Sequence, residues 1–195
     1  MRARDDIRPE RVRALLDFDP KTGVLVWRYR PLRSGEPLPG TDPRVGSLAA
    51  VDRRWNNRWA GKPTGGVAPD GYLYTRVGKH LYVCHRLAWV HYYGRWPLGE
   101  IDHANGNRAD NRIANLREAT SSQNARNRRM RSDNTSGAKG VCWCDERAEW
   151  HAYIGVQGRR GSHTIGFFAR FEDAVAARQR VAREMFGAFA NETEV

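Results

Sequence analysis

The chain has 195 residues, enough for one domain or two small ones, and its 33 Lys and Arg against 22 Asp and Glu give a formal net charge of +11. An excess of this size is typical of proteins that bind a polyanion, so we expect a nucleic acid as partner and no membrane. No stretch approaches the roughly 20 apolar residues of a membrane helix, and the first ten residues lack the apolar core of a signal peptide, which predicts a cytoplasmic protein of a bacterium or a phage-infected cell.

The cysteines favour a reducing compartment. They are odd in number, and their spacing fits neither a disulfide framework nor a common structural zinc site. Cys142 and Cys144 would point to the same face of a strand. A zinc site that combines these two thiols with a distant histidine is kept as an alternative.

The N-terminal third is predicted to hold two helices and one strand, joined by turns and a loop. These elements are a helix at 9–16, a turn at 19–23, a strand at 24–29, a proline-rich loop at 31–43 and a helix at 45–59. Trp55 and Trp59 are four residues apart on the second helix, so both are expected to pack against the domain.

The middle of the chain predicts a hairpin followed by a helix. Residues 72–83 alternate around a Gly78-Lys79 turn. The helix is expected from His85 to Tyr93, because Gly94 and a following proline are typical helix stops.

The stretch from residue 101 to residue 124 carries the residues suited to catalysis. Asp102 and His103 end a short predicted strand, and a loop rich in Asn and Gly follows. A second strand is expected from Asn115 to Glu118. Thr120 and Gln123 have the spacing of a capping box at a helix start, which puts Asn124 in the first turn of that helix.

This pattern suits the hydrolysis of phosphodiester bonds. Asp102 and Asn124 offer two oxygen ligands, which favour Mg²⁺ or Mn²⁺ over Zn²⁺. His103 follows Asp102 on a strand and points to the opposite side, so it is predicted to be a general base and not a third ligand. Asn115 could hydrogen-bond across the loop and orient the His103 ring.

The C-terminal third is predicted to form three strands and a helix. Polar residues 130–137 predict the linker before it. The elements are strands at 141–144, 150–156 and 162–168, a turn at 158–161 and a helix at 171–186. The small apolar residues of that helix indicate that it packs flat on the sheet.

Residues 10–131, and above all the runs HRLAW, IDHANGNRADNRIANLREAT and SSQNARN within 85–127, resemble the HNH (His-Me finger) endonucleases of phage genomes and mobile introns. The resemblance implies an α+β chain whose nuclease domain, residues 1–131, has a ββα-metal core at about 98–131. It also implies metal ligands at Asp102 and Asn124, a base at His103 and a bracing role for Asn115. His85 matches an upstream histidine of the family, for which packing or a phosphate contact is expected.

Residues 132–195 are predicted to be the linker and a second domain. The segment 137–190 contains Gly137, Lys139-Gly140-Val141, Trp143, Trp150, Ala152, Ile154, Gly166, Phe168, Glu172, Ala174, Ala176 and Ala177, and through these residues it resembles the AP2 DNA-binding domain. That resemblance implies a three-stranded antiparallel sheet, backed by one helix, that enters the major groove. The residues of this domain predicted to contact DNA are Lys139, Trp143, Arg147, Trp150, Arg159 and Arg160. Four basic residues near the helix that begins at Thr120 are predicted to contact DNA as well: Arg126, Arg128, Arg129 and Arg131. One tryptophan could instead pack under the sheet.

The function predicted from these patterns is a metal-dependent DNA endonuclease of the homing type, acting on double-stranded DNA as a monomer or a weak homodimer. One nuclease centre per chain would nick one strand as a monomer or cut both as a dimer. The alternative is a catalytically silent DNA-binding regulator. RNA binding is the weaker third possibility, since no aromatic strand motif of the RNP kind is present.

Overall fold

A computed structural model of the chain describes residues 6–33, 48–127, 130, 134–155 and 162–190. The chain is a mixed α and β protein with small sheets. It divides into two compact units: the first holds the described residues up to His103 together with Asn107–Arg117, and the second holds Ala104–Gly106 and the described residues from Glu118 onward. The proposed boundary near residue 131 stays a prediction. None of the described helices is long and apolar enough to cross a bilayer.

The first unit begins with two helices and a hairpin. Their bounds are α1 at Pro9–Leu15, β1 at Leu16–Phe18, β2 at Leu25–Trp27 and α2 at Leu48–Trp59. The hairpin is antiparallel, with Leu16 opposite Trp27. Its turn is stabilised by the Asp19 carboxylate, which accepts hydrogen bonds from the Lys21 N–H at 2.9 Å and the Thr22 hydroxyl at 2.8 Å. The predicted helices, turn and strand are therefore confirmed, whereas most of the predicted loop lies outside the described residues.

A second antiparallel sheet and a helix follow; the hairpin and the helix confirm the prediction, whereas the short strand at Gly66–Val67 was not predicted. The elements are β3 at Gly66–Val67, β4 at Leu73–Val77, β5 at His80–Val83 and α3 at Cys84–Tyr93, with β4 between β3 and β5. The helix ends where Gly94 adopts a left-handed conformation with φ 70°. Without a Cβ, glycine takes this conformation at little cost.

The core of the first unit joins the hairpin to α3. Leu16 and Leu25 from the hairpin pack in one buried cluster with Leu87 and Val90 from α3. The hairpin is thereby fixed on the helix that precedes the candidate catalytic residues.

The two tryptophans of α2 have different surroundings. Trp55 packs edge-on against Trp27, with ring centroids 5.5 Å apart, and the Arg30 guanidinium lies 3.5 Å from its ring centroid. The predicted packing role is confirmed for Trp55. Trp59, the last residue of α2, is 42% exposed, so it is only partly packed.

Cys84 is predicted to be chemically inert in the folded protein. It is 2% exposed, and burial raises the pKa of its thiol to about 12. Because the thiolate is the nucleophile, a thiol reagent at pH 8 should label Cys142 and Cys144 and leave Cys84 unlabelled until denaturant is added. Peptide mass mapping of the labelled protein checks this. Rapid labelling of Cys84 in the native protein would contradict its burial.

The segment that resembles the metal-binding core of the HNH endonucleases follows in chain order. Its elements are β6 at Glu100–His103, a 3₁₀ turn at Ile113–Asn115, β7 at Leu116–Ala119 and α4 at Ser121–Arg126. β6 and β7 pair as a two-stranded sheet. Asn115 was expected in the second strand but lies in the 3₁₀ turn before it. The turn forms because the Asn115 N–H donates back to the Arg112 carbonyl at 2.9 Å.

The C-terminal part forms the predicted three strands and helix. Their bounds are β8 at Val141–Cys144, β9 at Glu149–Gly155, β10 at Ser162–Phe168 and α5 at Phe171–Phe186. The strands are antiparallel in the order β10-β9-β8. Val141 and Ala152 from the sheet are buried against Ala174 and Val175 of α5. The predicted turn at 158–161 lies outside the described residues.

Gly140 is expected to be essential for the stability of the C-terminal unit. Its φ is 72°, and a Cβ there would lie 2.4 Å from the Tyr153 carbonyl oxygen. Gly137 has a similar φ of 80° with no atom within 4 Å of a built Cβ, so it is a matched control. Both alanine variants bear roughly 1–2 kcal/mol of left-handed strain, but only Gly140→Ala adds a backbone clash. Denaturant unfolding should show the larger loss in Gly140→Ala, and equal losses would contradict the close approach.

Candidate active site

The Asp102–His103 pair lies at the end of β6 and is buried. Asp102 is 4% exposed and His103 3% exposed. The preceding residue, Ile101, packs in a small core with Trp89 of α3 and Leu116 of β7. Apolar packing therefore fixes the backbone that carries the two polar side chains.

Two rings surround His103. The His85 ring lies 5.0 Å from the His103 ring, centroid to centroid, at an interplanar angle of 78°. The Tyr72 ring lies 5.2 Å from His85 and 5.8 Å from His103. His85 Nδ1 is buried with no hydrogen-bond partner among the described residues. Packing or a phosphate contact was expected for His85, and the structure shows that it packs against these rings.

Burial controls the protonation of both histidines. It lowers the pKa of His103, and the hydrogen bond to Asn111 and the charge of Asp102 offset this only in part. Burial also lowers the pKa of His85 well below its ordinary value, assisted by His103 and Arg86. Both imidazoles are therefore neutral at neutral pH, and each retains one nitrogen with a lone pair.

An ion pair holds the Asp102 carboxylate. Arg117 donates from Nε and Nη2 to Asp102 Oδ2, at 2.7 Å and 2.6 Å. The arginine side chain is 22% exposed. Sequence reasoning missed this pair, because only the pairing of β6 with β7 brings residues 102 and 117 together.

The loop between β6 and β7 presents two buried asparagines. Asn111 Oδ1 lies 3.3 Å from His103 Nε2, and Asn111 is 2% exposed. The Asn115 side-chain amide donates to the Asp110 carbonyl at 2.8 Å. The structure thus gives Asn111 a direct contact with His103 that the sequence did not predict, and Asn115 a contact with the loop backbone. An orienting role for Asn115 stays a prediction.

A cation borders the ring cluster. Arg108 donates from Nη1 to the Asp70 carbonyl at 2.8 Å, and its guanidinium carbon lies 4.9 Å from the Tyr72 ring centroid. Burial raises the pKa of the Tyr72 hydroxyl, so this group is protonated at neutral pH. No local pattern singles out Arg108, because its partners lie more than 30 positions away in the sequence.

Helix α4 begins with the predicted capping box. The Thr120 hydroxyl accepts from the Gln123 N–H at 3.2 Å, and the Thr120 N–H donates to Gln123 Oε1 at 2.8 Å. Asn124 follows directly in the same short helix. The Arg126 guanidinium lies 4.4 Å from the Phe186 ring centroid.

The predicted DNA contacts of the C-terminal sheet fall on two sides. Trp150 packs against Phe171 of α5 at 4.8 Å between centroids, and Trp143, its direct cross-strand partner, lies on the same side and is 46% exposed. The Arg147 guanidinium lies over the Phe167 ring at 4.3 Å, on the open side. Trp150 is partly buried against the core of the sheet, in line with the alternative that one tryptophan packs under it, and its contact with DNA stays a prediction.

The remaining predicted contacts are only partly described. The Lys139 ammonium donates to the Arg126 carbonyl at 3.0 Å. Five predicted arginines lie outside the described residues: Arg128, Arg129, Arg131, Arg159 and Arg160.

The donor chemistry of the site fits a hard cation. Across the part of the chain that the structure describes, no three His, Cys, Asp or Glu side chains are grouped so as to hold a metal ion. The alternative zinc site stays a prediction; Cys142 Sγ lies 4.0 Å from His151 Nδ1. A Mg²⁺ site needs only one or two protein oxygens, since water and phosphate complete its coordination. The Asp102 carboxylate is an oxygen donor of that kind, while the role of Asn124, which lies in the second unit, stays a prediction.

A family model described as HNH endonuclease matches residues 82–126, which include Asp102, His103, Arg117 and Asn124. The chain belongs to this HNH endonuclease family. It is similar to Protein 3.8 of Escherichia phage T7, with 34% identity over 108 residues that cover 54% of this chain and 86% of the relative. No solved structure matches.

Proposed function

We propose that the chain is a metal-dependent endonuclease that hydrolyses phosphodiester bonds in double-stranded DNA, with His103 as the general base. The observation that carries the proposal is the neutral, buried His103 ring, bonded at Nε2 to Asn111 Oδ1. An amide oxygen only accepts, so this contact favours a proton on Nε2 and a lone pair on Nδ1. Nδ1 is then the atom that can take a proton from an attacking water.

Asp102 and Asn124 would hold the divalent cation, Mg²⁺ or Mn²⁺. When bound, such a cation supplies positive charge that stabilises the phosphate and the leaving oxygen. Arg117 orients the Asp102 carboxylate through the ion pair on Oδ2. The assignment of Asn124 rests on the sequence motif. His103 is kept for proton transfer, because neighbouring residues on a strand point to opposite sides.

Substrate binding is assigned to the basic surfaces. The antiparallel sheet β8–β10 backed by α5 supports an AP2-like module that reads duplex DNA, with Lys139 and Arg147 among its contacts. The arginines at 126, 128, 129, 131, 159 and 160 are proposed to bind backbone phosphates, which supply affinity more than sequence preference. We further propose that the enzyme is of the homing type.

Incubation of the full chain with supercoiled plasmid, with Mg²⁺ or with EDTA, tests this function. The expected result is relaxed circle or linear DNA in Mg²⁺, no product in EDTA, and recovery of cleavage when excess Mg²⁺ is restored. A gel shift without cleavage under every metal condition would favour the silent regulator. Relaxed circle alone would indicate nicking, whereas direct linear product would indicate a dimer that cuts both strands.

A further inference from the structure

The contact between His103 and Asn111 gives Asn111 a role that the sequence motif does not assign. Both side chains are almost fully buried, at 3% and 2% exposure. The Asn111 amide oxygen faces His103 Nε2 at 3.3 Å. Asn111 lies eight residues after His103, and an accepting oxygen at this position favours the imidazole tautomer with the proton on Nε2.

Asn111 is in turn held by the N-terminal hairpin. Gly23, in the turn between β1 and β2, has a φ of 76°, and a Cβ there would lie 2.5 Å from both the Asn111 carbonyl carbon and the Arg112 nitrogen. The next residue after Arg112, Ile113, donates its N–H to the Pro20 carbonyl at 3.1 Å. The turn therefore lies directly against the backbone of the loop that presents Asn111.

The turn is held by hydrogen bonds of its own. The Gly23 N–H donates to the Asp19 carbonyl at 2.8 Å, in addition to the two bonds that the Asp19 carboxylate accepts within the turn. On either side of the turn, Leu16 and Leu25 are buried at 0% and 2% exposure. The hairpin precedes the residues matched by the family model, 82–126, by more than 50 positions.

Asn115 supports the same loop from within. Its side-chain amide donates to the carbonyl of Asp110, the residue before Asn111. Asn115 thus contacts the loop backbone, while Asn111 contacts the ring.

We propose that Asn111 is a positioning residue that fixes the Nε2–H tautomer of His103, and that the turn at residues 19–23 is a buttress that holds Asn111 against the ring. The catalytic consequence rests on the proposed function, in which His103 Nδ1 accepts a proton. The tautomer itself does not depend on cleavage and can be measured separately.

The experiment compares Asn111→Ala and Asn111→Asp with the parent chain by NMR of the ¹⁵N-labelled histidine side chains. His103→Gln serves to assign the His103 signals. The parent and Asn111→Asp, which keeps an acceptor oxygen, should show His103 as the Nε2–H tautomer. Asn111→Ala should shift His103 towards Nδ1–H or a mixture. An unchanged His103 tautomer in a folded Asn111→Ala variant would overturn the proposal.

The buttress is tested with Gly23→Ala against Gly78→Ala. Gly78 has a φ of 62° and no atom within 4 Å of a built Cβ, so the two variants share backbone strain but differ in the contact with the loop. Gly23→Ala should change the His103 signals and lower kcat on plasmid by roughly 10- to 100-fold with KM within about twofold, whereas Gly78→Ala should change neither. Identical His103 signals in both variants would overturn the buttress. If the parent cleaves nothing, the proposed function fails while the NMR comparison still decides the position of Asn111.

Discussion

Replacing His103 with alanine should lower the rate of DNA cleavage by roughly 10²- to 10⁴-fold, the range usual for loss of a general base. The ring is neutral because burial lowers its pKa, and its Nε2 is bonded to Asn111, so the variant removes the proton acceptor at Nδ1. Asp102→Asn should also lose most activity, because it removes the negative charge from the proposed cation ligand. DNA affinity in EDTA should remain within about twofold, since the basic surfaces are intact. Single-turnover cleavage and gel shift measure the two effects.

His163→Ala is the control for this comparison. His163 is an exposed residue of β10 in the C-terminal unit, remote in sequence from the motif. Its variant should cleave as the parent does. Thermal unfolding of each variant excludes misfolding as the cause of a loss. Parent-like cleavage by a folded His103→Ala variant would reject His103 as the base.

Removal of the Arg117 side chain should destabilise the first unit by about 2–3 kcal/mol. The variant Arg117→Ala leaves the Asp102 carboxylate, 4% exposed, without this cation, and breaking one side of a buried pair is far more damaging than losing a surface pair. Urea unfolding followed by tryptophan fluorescence measures the loss. Arg117→Lys should restore part of the stability, because a lysine can supply one of the two donors.

A double-mutant cycle separates the ion pair from general packing. If the pair stabilises the unit, Arg117→Ala should cost less stability in an Asp102→Asn background than in the parent, by about 1 kcal/mol or more. As a surface control, Arg170→Ala removes a pair with Glu172 whose side chains are 72% and 68% exposed, and should change stability by less than about 1 kcal/mol. Equal effects of Arg117→Ala in both backgrounds would show that the carboxylate gains nothing from the arginine.

Local patterns were sufficient to predict much of the fold. The capping box of α4, the strand β10 and the helix α5 depend on side-chain spacing within a few residues, and all three were confirmed. Turn-forming residues likewise marked the hairpin around Gly78. The alternation of β9 contained a further signal, since Trp150 lies in phase with the buried Ala152 and Ile154. This phase indicates that Trp150 packs against the core, whereas a contact of Trp150 with DNA stays a prediction.

The contacts that organise the candidate site depend on tertiary structure. Arg117 meets Asp102 only because β6 and β7 pair. The turn at Gly23 lies against residues 111–113, almost 90 positions away, and no local spacing encodes that approach. The motif therefore identifies Asp102 and His103 from the sequence alone, whereas the residues that contact and position them can be identified only in the folded structure.

Cleavage in H₂¹⁸O tests the central claim most directly. If a water activated at His103 hydrolyses the phosphodiester bond, each cut made by the parent in Mg²⁺ should introduce one ¹⁸O atom into the terminal phosphate of the product. Mass spectrometry of the released end measures this, and His103→Ala processed in parallel should yield neither cuts nor label. Strand breaks whose terminal phosphates carry no ¹⁸O, or labelled cuts at equal rates from both proteins, would contradict hydrolysis by a His103-activated water.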